Sequence, residues 1–227
     1  MRKTRHKSPM APATSERILN YLRHQIVSGA MPPGSRVPTR RQLELDFNST
    51  LVTIQRAFER LLQDGFVEAR GKAGTFVAQR PPHLFNYALV FPRGPNSNHD
   101  SWPRFWEALC YEAAAVERSQ PRRVELFYDI DGHGDNLKYE RLVELVRAQR
   151  FAGLIFPHHP VELVRTPLMV EPGVGRVALM QHAEISDVPA IRFDYYSFMD
   201  RAMDYLKERR RKRVAVLSLP EDDDQAC

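Results

Sequence analysis

A chain of 227 residues is too long for one small module and allows two domains. Its 43% hydrophobic and 27% charged residues are an ordinary globular balance, which excludes wholesale disorder, collagen and coiled-coil classes. The net charge of +5 divides unevenly: residues 1–82 carry 14 basic and 6 acidic side chains, a net +8, and residues 83–227 carry 19 and 22, a net −3.

Residues 1–13 are basic, contain Pro9 and Pro12, and read as a flexible arm. From Ser15, a suitable N-cap, Ile18, Leu19, Leu22 and Ile26 recur on one face of a helix that ends near Ser28-Gly29. Met31-Pro32-Pro33-Gly34 is a turn by composition, and Thr39 can cap a second helix over residues 40–47. After the polar break Asn48-Ser49-Thr50, a third helix is expected over 51–64, with Thr50 as cap and Gly65 as stop. Ile54, Phe58, Leu61 and Leu62 then face inward, while Thr53, Gln55, Arg56 and Arg60 face outward. Two helices joined by so short a turn make a helix-turn-helix. Residues 66–70 and 75–78 read as two short strands joined by Gly71-Lys72-Ala73-Gly74, a hairpin with a basic tip. That tip lacks the Gly-Lys-Ser/Thr signature of a nucleotide phosphate loop, so it reads as a turn.

Pro81 and Pro82 stiffen a linker over residues 80–85, where the charge changes sign, and the pattern then alternates between strands and helices. Strands are expected at 87–91, 123–128, 152–157, 175–180, 190–193 and 213–218. Helices are expected at 102–118, 137–149, with Leu142, Leu145 and Val146 inward, and 196–210. Repeated strand-helix units imply an α/β body built on a doubly wound parallel sheet. The basic run 209–213 at a helix C-terminus is explained by macrodipole complementarity and solvation.

The motifs Pro32-Pro33-Gly34-Ser35-Arg36-Val37-Pro38-Thr39-Arg40-Arg41-Gln42-Leu43, Thr50-Leu51-Val52-Thr53-Ile54-Gln55-Arg56-Ala57-Phe58-Glu59-Arg60-Leu61, Asp64-Gly65-Phe66-Val67 and Arg70-Gly71-Lys72-Ala73-Gly74-Thr75-Phe76-Val77 follow one another in order. Together they resemble the GntR-family winged helix over residues 14–79. The resemblance implies that Arg41, at the start of the second helix, contacts DNA. It also implies that the third helix enters the major groove, presenting Thr50, Leu51, Val52, Thr53 and Gln55 to base edges. Gln55 can bond bidentately to adenine, and a Thr methyl or Val52 can meet a thymine methyl. Leu51 and Gln55 stand where that family often has basic residues. Arg70, Gly71 and Lys72 match the wing tip that reaches the minor groove or its phosphates. Arg56 and Arg60 read as solvated, or paired with Glu59 and Asp64, before they read as base contacts, and Arg40 is similarly open.

Phe151-Ala152-Gly153-Leu154-Ile155-Phe156, the stretch 188–195 and the stretch 202–217 are similar to the effector domain of LacI-type regulators, a periplasmic-binding-protein-like fold, over about residues 86–220. A sugar effector and a homodimer on a palindromic double-stranded operator follow as expectations, with repression expected ahead of activation, and a fragment that binds DNA constitutively without sensing is the alternative. Ligands of such sheets bind beyond the carboxyl ends of the strands, which nominates Arg93, Asn96, Trp102, Asp129, His158, Asp194 and Tyr195. His158-His159 reads as structural or ligand-facing, since no third metal ligand has matching spacing. No cofactor is expected. No dinucleotide loop, Gly-x-Ser-x-Gly elbow or metal set is present, so an enzyme is not expected.

The sixth strand followed by the acidic end Glu221-Asp222-Asp223-Asp224 reads as the start of a second effector lobe that the chain does not complete, hence a fragment, a truncated product or a shortened sensor. No apolar run approaches the roughly 18 residues that a membrane span needs, and no signal core follows the basic N-terminus. Cys110 and Cys227 form no disulfide framework, and Cys110 is expected to be a small buried hydrophobe. A cytoplasmic protein with no membrane partner is expected.

Overall fold

The computed structural model describes residues 14–95, 102–132, 136–179 and 188–215. Two compact units divide the chain, Met1–Ile191 and Arg192–Cys227.

The first unit opens with three helices, α1 (Thr14–Val27), α2 (Arg40–Phe47) and α3 (Leu51–Gln63). On α1 the apolar residues at i, i+1, i+4 and i+8 (Ile18, Leu19, Leu22, Ile26) are all buried. Its helical turns begin at Thr14, so Ser15 lies inside the first turn instead of capping it. α2 is held at both ends: the Thr39 hydroxyl accepts from the Gln42 N–H at 3.2 Å, and Asn48 adopts the left-handed conformation (φ 44°) that closes the C-terminus. The Thr50 hydroxyl accepts from the Thr53 N–H at 3.4 Å at the start of α3, and Gly65 (φ 80°) turns the chain away after it. α3 buries Ile54, Ala57, Phe58 and Leu61, whereas Leu62 is only half-buried at the edge of the same core. These side chains meet the α1 stripe, Leu43 of α2 and Val67 and Val77 of a hairpin, β1 (Val67–Ala69) and β2 (Thr75–Val77).

β1 and β2 pair antiparallel with Val67 opposite Val77. A third segment joins their edge: Val77 N–H donates to the Ser35 carbonyl at 2.8 Å and Val37 N–H to the Thr75 carbonyl at 2.9 Å. Residues 35–37 carry no alternation that would signal this pairing, because so short an extended piece buries one side chain, Val37.

The stretch expected as a linker contains one helical turn, α4 (Pro82–Phe85). Pro at the start of a helix loses no intrahelical bond, so two prolines are compatible with a turn as well as with an extended link. Pro82 is buried, and the His83 ring stacks on Phe66 of the winged-helix core with centroids 5.8 Å apart.

The remainder of this unit is a five-stranded parallel sheet in the order β4-β3-β5-β6-β7. Its elements are β3 (Asn86–Val90), α5 (Arg104–Ser119), β4 (Arg123–Phe127), α6 (Leu137–Arg147), β5 (Gly153–Phe156), α7 (Pro167–Val170), β6 (Gly175–Leu179) and β7 (Ala190–Ile191). Alternation along β3 shows why helices cover both faces. Ala88 and Val90 pack with Leu142, Val143 and Val146 of α6, while Leu89 and Phe91 pack with Trp106 and Ala113 of α5. β4 and β5 flank β3 on opposite sides, so the winding reverses between β3 and β5 and leaves a crevice at their carboxyl ends.

The second unit holds α8 (Tyr195–Glu208), capped by the Asp194 carboxylate, which accepts from the Ser197 N–H at 3.0 Å. Residues 213–215 are coil, contrary to the strand expected from 213, and 216–218 lie outside the described residues. An apolar run becomes a strand only where an edge accepts its hydrogen bonds, and Val214 is 43% exposed.

Candidate nucleic-acid interface

Arg41, at the second position of α2, is exposed and makes no ion pair among the described residues. Thr50 is exposed and its hydroxyl lies 3.0 Å from that of Thr53, so the two hydroxyls complete the cap of α3 together. Leu51 and Val52 are 52% and 63% exposed, two apolar side chains turned to solvent on the first turn of a helix. Neither α2 nor α3 has an acidic residue in its first turn, so neither helix compensates the positive end of its own dipole.

Gln55 is half-buried and engaged on both atoms of its amide. Arg40 Nε donates to Gln55 Oε1 at 2.7 Å, and Gln55 Nε2 donates to Glu59 Oε1 at 3.0 Å. The Arg40 guanidinium also lies over the Phe58 ring, 4.7 Å from its centroid. The Gln55–Glu59 contact has the i, i+4 spacing that a sequence can show. Arg40 comes from a different helix, and no spacing along the chain could have disclosed it.

The hairpin tip is one 3-10 turn, Gly71–Ala73, between Arg70 and Gly74. Gly71 (φ 54°) and Gly74 (φ 111°) take backbone angles that side chains disfavour. Lys72 is exposed. Arg70 is exposed as well, but its Nε donates to Glu68 Oε1 at 2.9 Å and its guanidinium lies 4.6 Å from the centroid of Phe76. Arg56 is exposed, and Arg60 pairs with Asp64 at 3.2 Å.

Asp64 is the electrostatic centre beneath this surface. Its carboxylate, 2% exposed, lies 3.2 Å from Arg23, 3.2 Å from Arg60 and 3.4 Å from Arg150, which follows α6. Burial pulls the Arg23 guanidinium below its ordinary pKa, and Asp64 acts in the opposite direction.

At the carboxyl ends of β3 and β5, Arg93, Trp102 and His158 gather around Trp106. Arg93 lies 5.7 Å from the centroid of Trp106, Trp102 meets it edge-on at 5.1 Å and His158 at 6.1 Å. Trp106 is fixed by its Nε1–H, which donates to the Pro157 carbonyl at 3.1 Å. An adjoining cavity of about 160 Å³ is lined by Ile130, Asp131, His158 and His159 among others. Burial, and secondarily His159, push the His158 pKa down to about 4. Among the described residues no cluster of three or more His, Cys, Asp or Glu could hold a metal.

Asp129 is occupied otherwise: it accepts from the Gly94 N–H at 2.7 Å and from the Lys138 ammonium, fastening the loop after β3. Cys110 is half-buried, with its sulfur 3.7 Å from the Tyr128 hydroxyl. Asn96 lies outside the described residues. Asp194 and Tyr195 belong to the second unit, where the Ser197 hydroxyl and N–H hold the Asp194 carboxyl below its usual pKa.

Residues 14–77 match the family described as bacterial regulatory proteins, gntR family. The chain is 36% identical over 69 residues to the HTH-type transcriptional regulator Rv1152 of Mycobacterium tuberculosis, covering 29% of this chain and 57% of that one. It is 35% identical over 80 residues to the histidine utilization repressor of Pseudomonas aeruginosa, covering 32% of each. Among solved structures, the DNA-binding domain of AraR in complex with operator ORR3 is 24% identical over 34% of this chain and 92% of its own, with a TM-score of 0.31. The chain thus spans about half or less of the curated relatives named here. The segment of this chain that matches the family is the winged helix, and no helix among the described residues is long and apolar enough to cross a membrane.

Proposed function

We propose that this protein, with its gntR-family winged helix, is a sequence-specific DNA-binding transcription regulator, a repressor, that acts as a homodimer on a two-fold operator. The observation that carries the reading is the first turn of α3, which exposes Leu51 and Val52 and contains no acidic residue of its own. Apolar side chains in that position cost little in a groove that offers thymine methyls, and the free helix dipole favours phosphate. Arg41, Arg70 and Lys72 supply charge, with Thr50, Thr53 and Gln55 at the base edges and Gly71 allowing close approach. The winged helix occupies residues 14–79, and the sheet domain from residue 86 is a LacI-like effector module.

Gel shifts on operators selected from a random pool test this. Replacing Arg41 or Arg70 by Ala removes a charge-assisted hydrogen bond of about 1.5–3 kcal/mol, roughly a 10- to 100-fold loss of affinity. Each lost phosphate contact also lowers the slope of log K against log salt by about 0.9. Weak binding at low salt that ignores both substitutions would sink the reading.

The effector we propose is a sugar, held in the crevice at the carboxyl ends of β3 and β5. Arg93 and His158 provide polar groups beside Trp102 and Trp106, the combination of hydrogen bonding and aromatic surface that sugars require. Titration calorimetry against a sugar panel, repeated with Trp102→Ala, decides the matter. Heat that disappears in the variant supports a sensor, and no heat with any sugar supports constitutive DNA binding.

A further inference from the structure

Gln55 stands on the outward side of α3, and its side chain is an amide whose two ends differ little in shape and entirely in hydrogen bonding. Adenine offers N7 as an acceptor and N6–H2 as a donor, so a glutamine reads it only with the amide turned the right way round. The neighbours of Gln55 remove that freedom. An arginine can only donate, and Arg40 Nε reaches the amide oxygen at 2.7 Å. An ionised glutamate can only accept, and Glu59 Oε1 takes an N–H from the amide nitrogen at 3.0 Å. Reversing the amide would set donor against donor at Arg40 and acceptor against acceptor at Glu59. One lone pair on Oε1 and one N–H on Nε2 remain for a base. Arg40 is itself held, since its guanidinium covers the face of Phe58, a core residue with 1% exposure.

We propose that Arg40 is a positioning residue for sequence recognition: with Glu59 it sets the orientation of the Gln55 amide, and an adenine preference at one position of each operator half-site depends on it. The inference rests on the regulator reading above and adds the residue through which one base is chosen. Arg40 acts without itself touching that base.

The test uses the full chain and operators selected from a random DNA pool, with competitive binding to all four bases at every position. The wild-type protein should favour adenine at one position by about tenfold, and Gln55→Ala should flatten that position. Arg40→Met keeps a stem over Phe58 but cannot donate. It should flatten the same position and leave the others standing, while Arg40→Lys, which can donate to Oε1, should restore part of the preference. A uniform affinity loss in Arg40→Met, with the salt slope reduced by about one, would make Arg40 a phosphate contact and overturn the proposal. So would an unchanged profile in Gln55→Ala. A wild-type protein that selects no sequence would overturn the regulator reading together with this one, whereas selection that Arg40→Met leaves intact overturns this one alone.

Discussion

A buried carboxylate among three arginines makes Asp64 a residue at which a single substitution should cost the winged helix severely. Arg23 and Arg60 come from α1 and α3, so their shared partner ties the first helix to the last. Removing it leaves the Arg23 guanidinium buried without its partner, a situation that costs about 3–5 kcal/mol. Asp64→Ala should therefore lower the denaturant midpoint severely. Arg150→Ala takes away a partner that is 23% exposed and leaves Asp64 two others, so its cost should stay below about 1 kcal/mol. Equal effects of the two substitutions would refute this account. The sequence paired Asp64 with Arg60 through their i, i+4 spacing. It gave no sign of Arg23, which it placed on a helix without marking its face, or of Arg150, 86 positions away.

At the scale of elements, α2 and α3 were legible almost residue by residue because both carry local stop and start chemistry. Thr39 and Thr50 accept from the N–H groups of Gln42 and Thr53, and Asn48 and Gly65 take left-handed angles. Such signals act within four residues and need no tertiary partner. Thr50→Ala should cost about 1 kcal/mol and lower Tm by roughly 4–8 °C if the winged helix melts as a separate small domain. Thr50→Ser, which keeps the hydroxyl, should stay near the wild-type Tm, and an Ala variant indistinguishable from wild type would show that the cap contributes nothing. Strand limits were less legible: β7 has two residues where the apolar run suggested four, since pairing with β6 is what defines it. The stretch 35–37 joins the wing for the same reason, with its partners Thr75 and Val77 some 40 positions distant in the chain.

For the molecule as a whole, two histidines link stability to pH. His158 beside the crevice and His83 on Phe66 both have pKa values lowered by burial, His158 to about 4, and the Nδ1 of each has no hydrogen-bond partner among the described groups. The unfolded chain then binds protons that the folded one refuses, so stability holds above about pH 6.5 and falls as pH drops toward 4. His158→Asn should remove part of that slope when unfolding is followed by denaturant at successive pH values. A variant with the wild-type pH dependence would show that His158 is not buried as a neutral ring. The sequence by itself determined the three helices and hairpin of the winged helix and the approximate places of β3 to β7 and of α5, α6 and α8, and it nominated the DNA-facing positions, because periodicity, caps and glycines are short-range signals. Only the tertiary structure decided the strand order β4-β3-β5-β6-β7, the stacking of His83 on the winged-helix core, the gathering of Arg93, Trp102 and His158 around Trp106, and the grip of Arg40 on Gln55. Each of these joins residues distant in sequence, where hydrogen-bond direction and packing act and local pattern is silent.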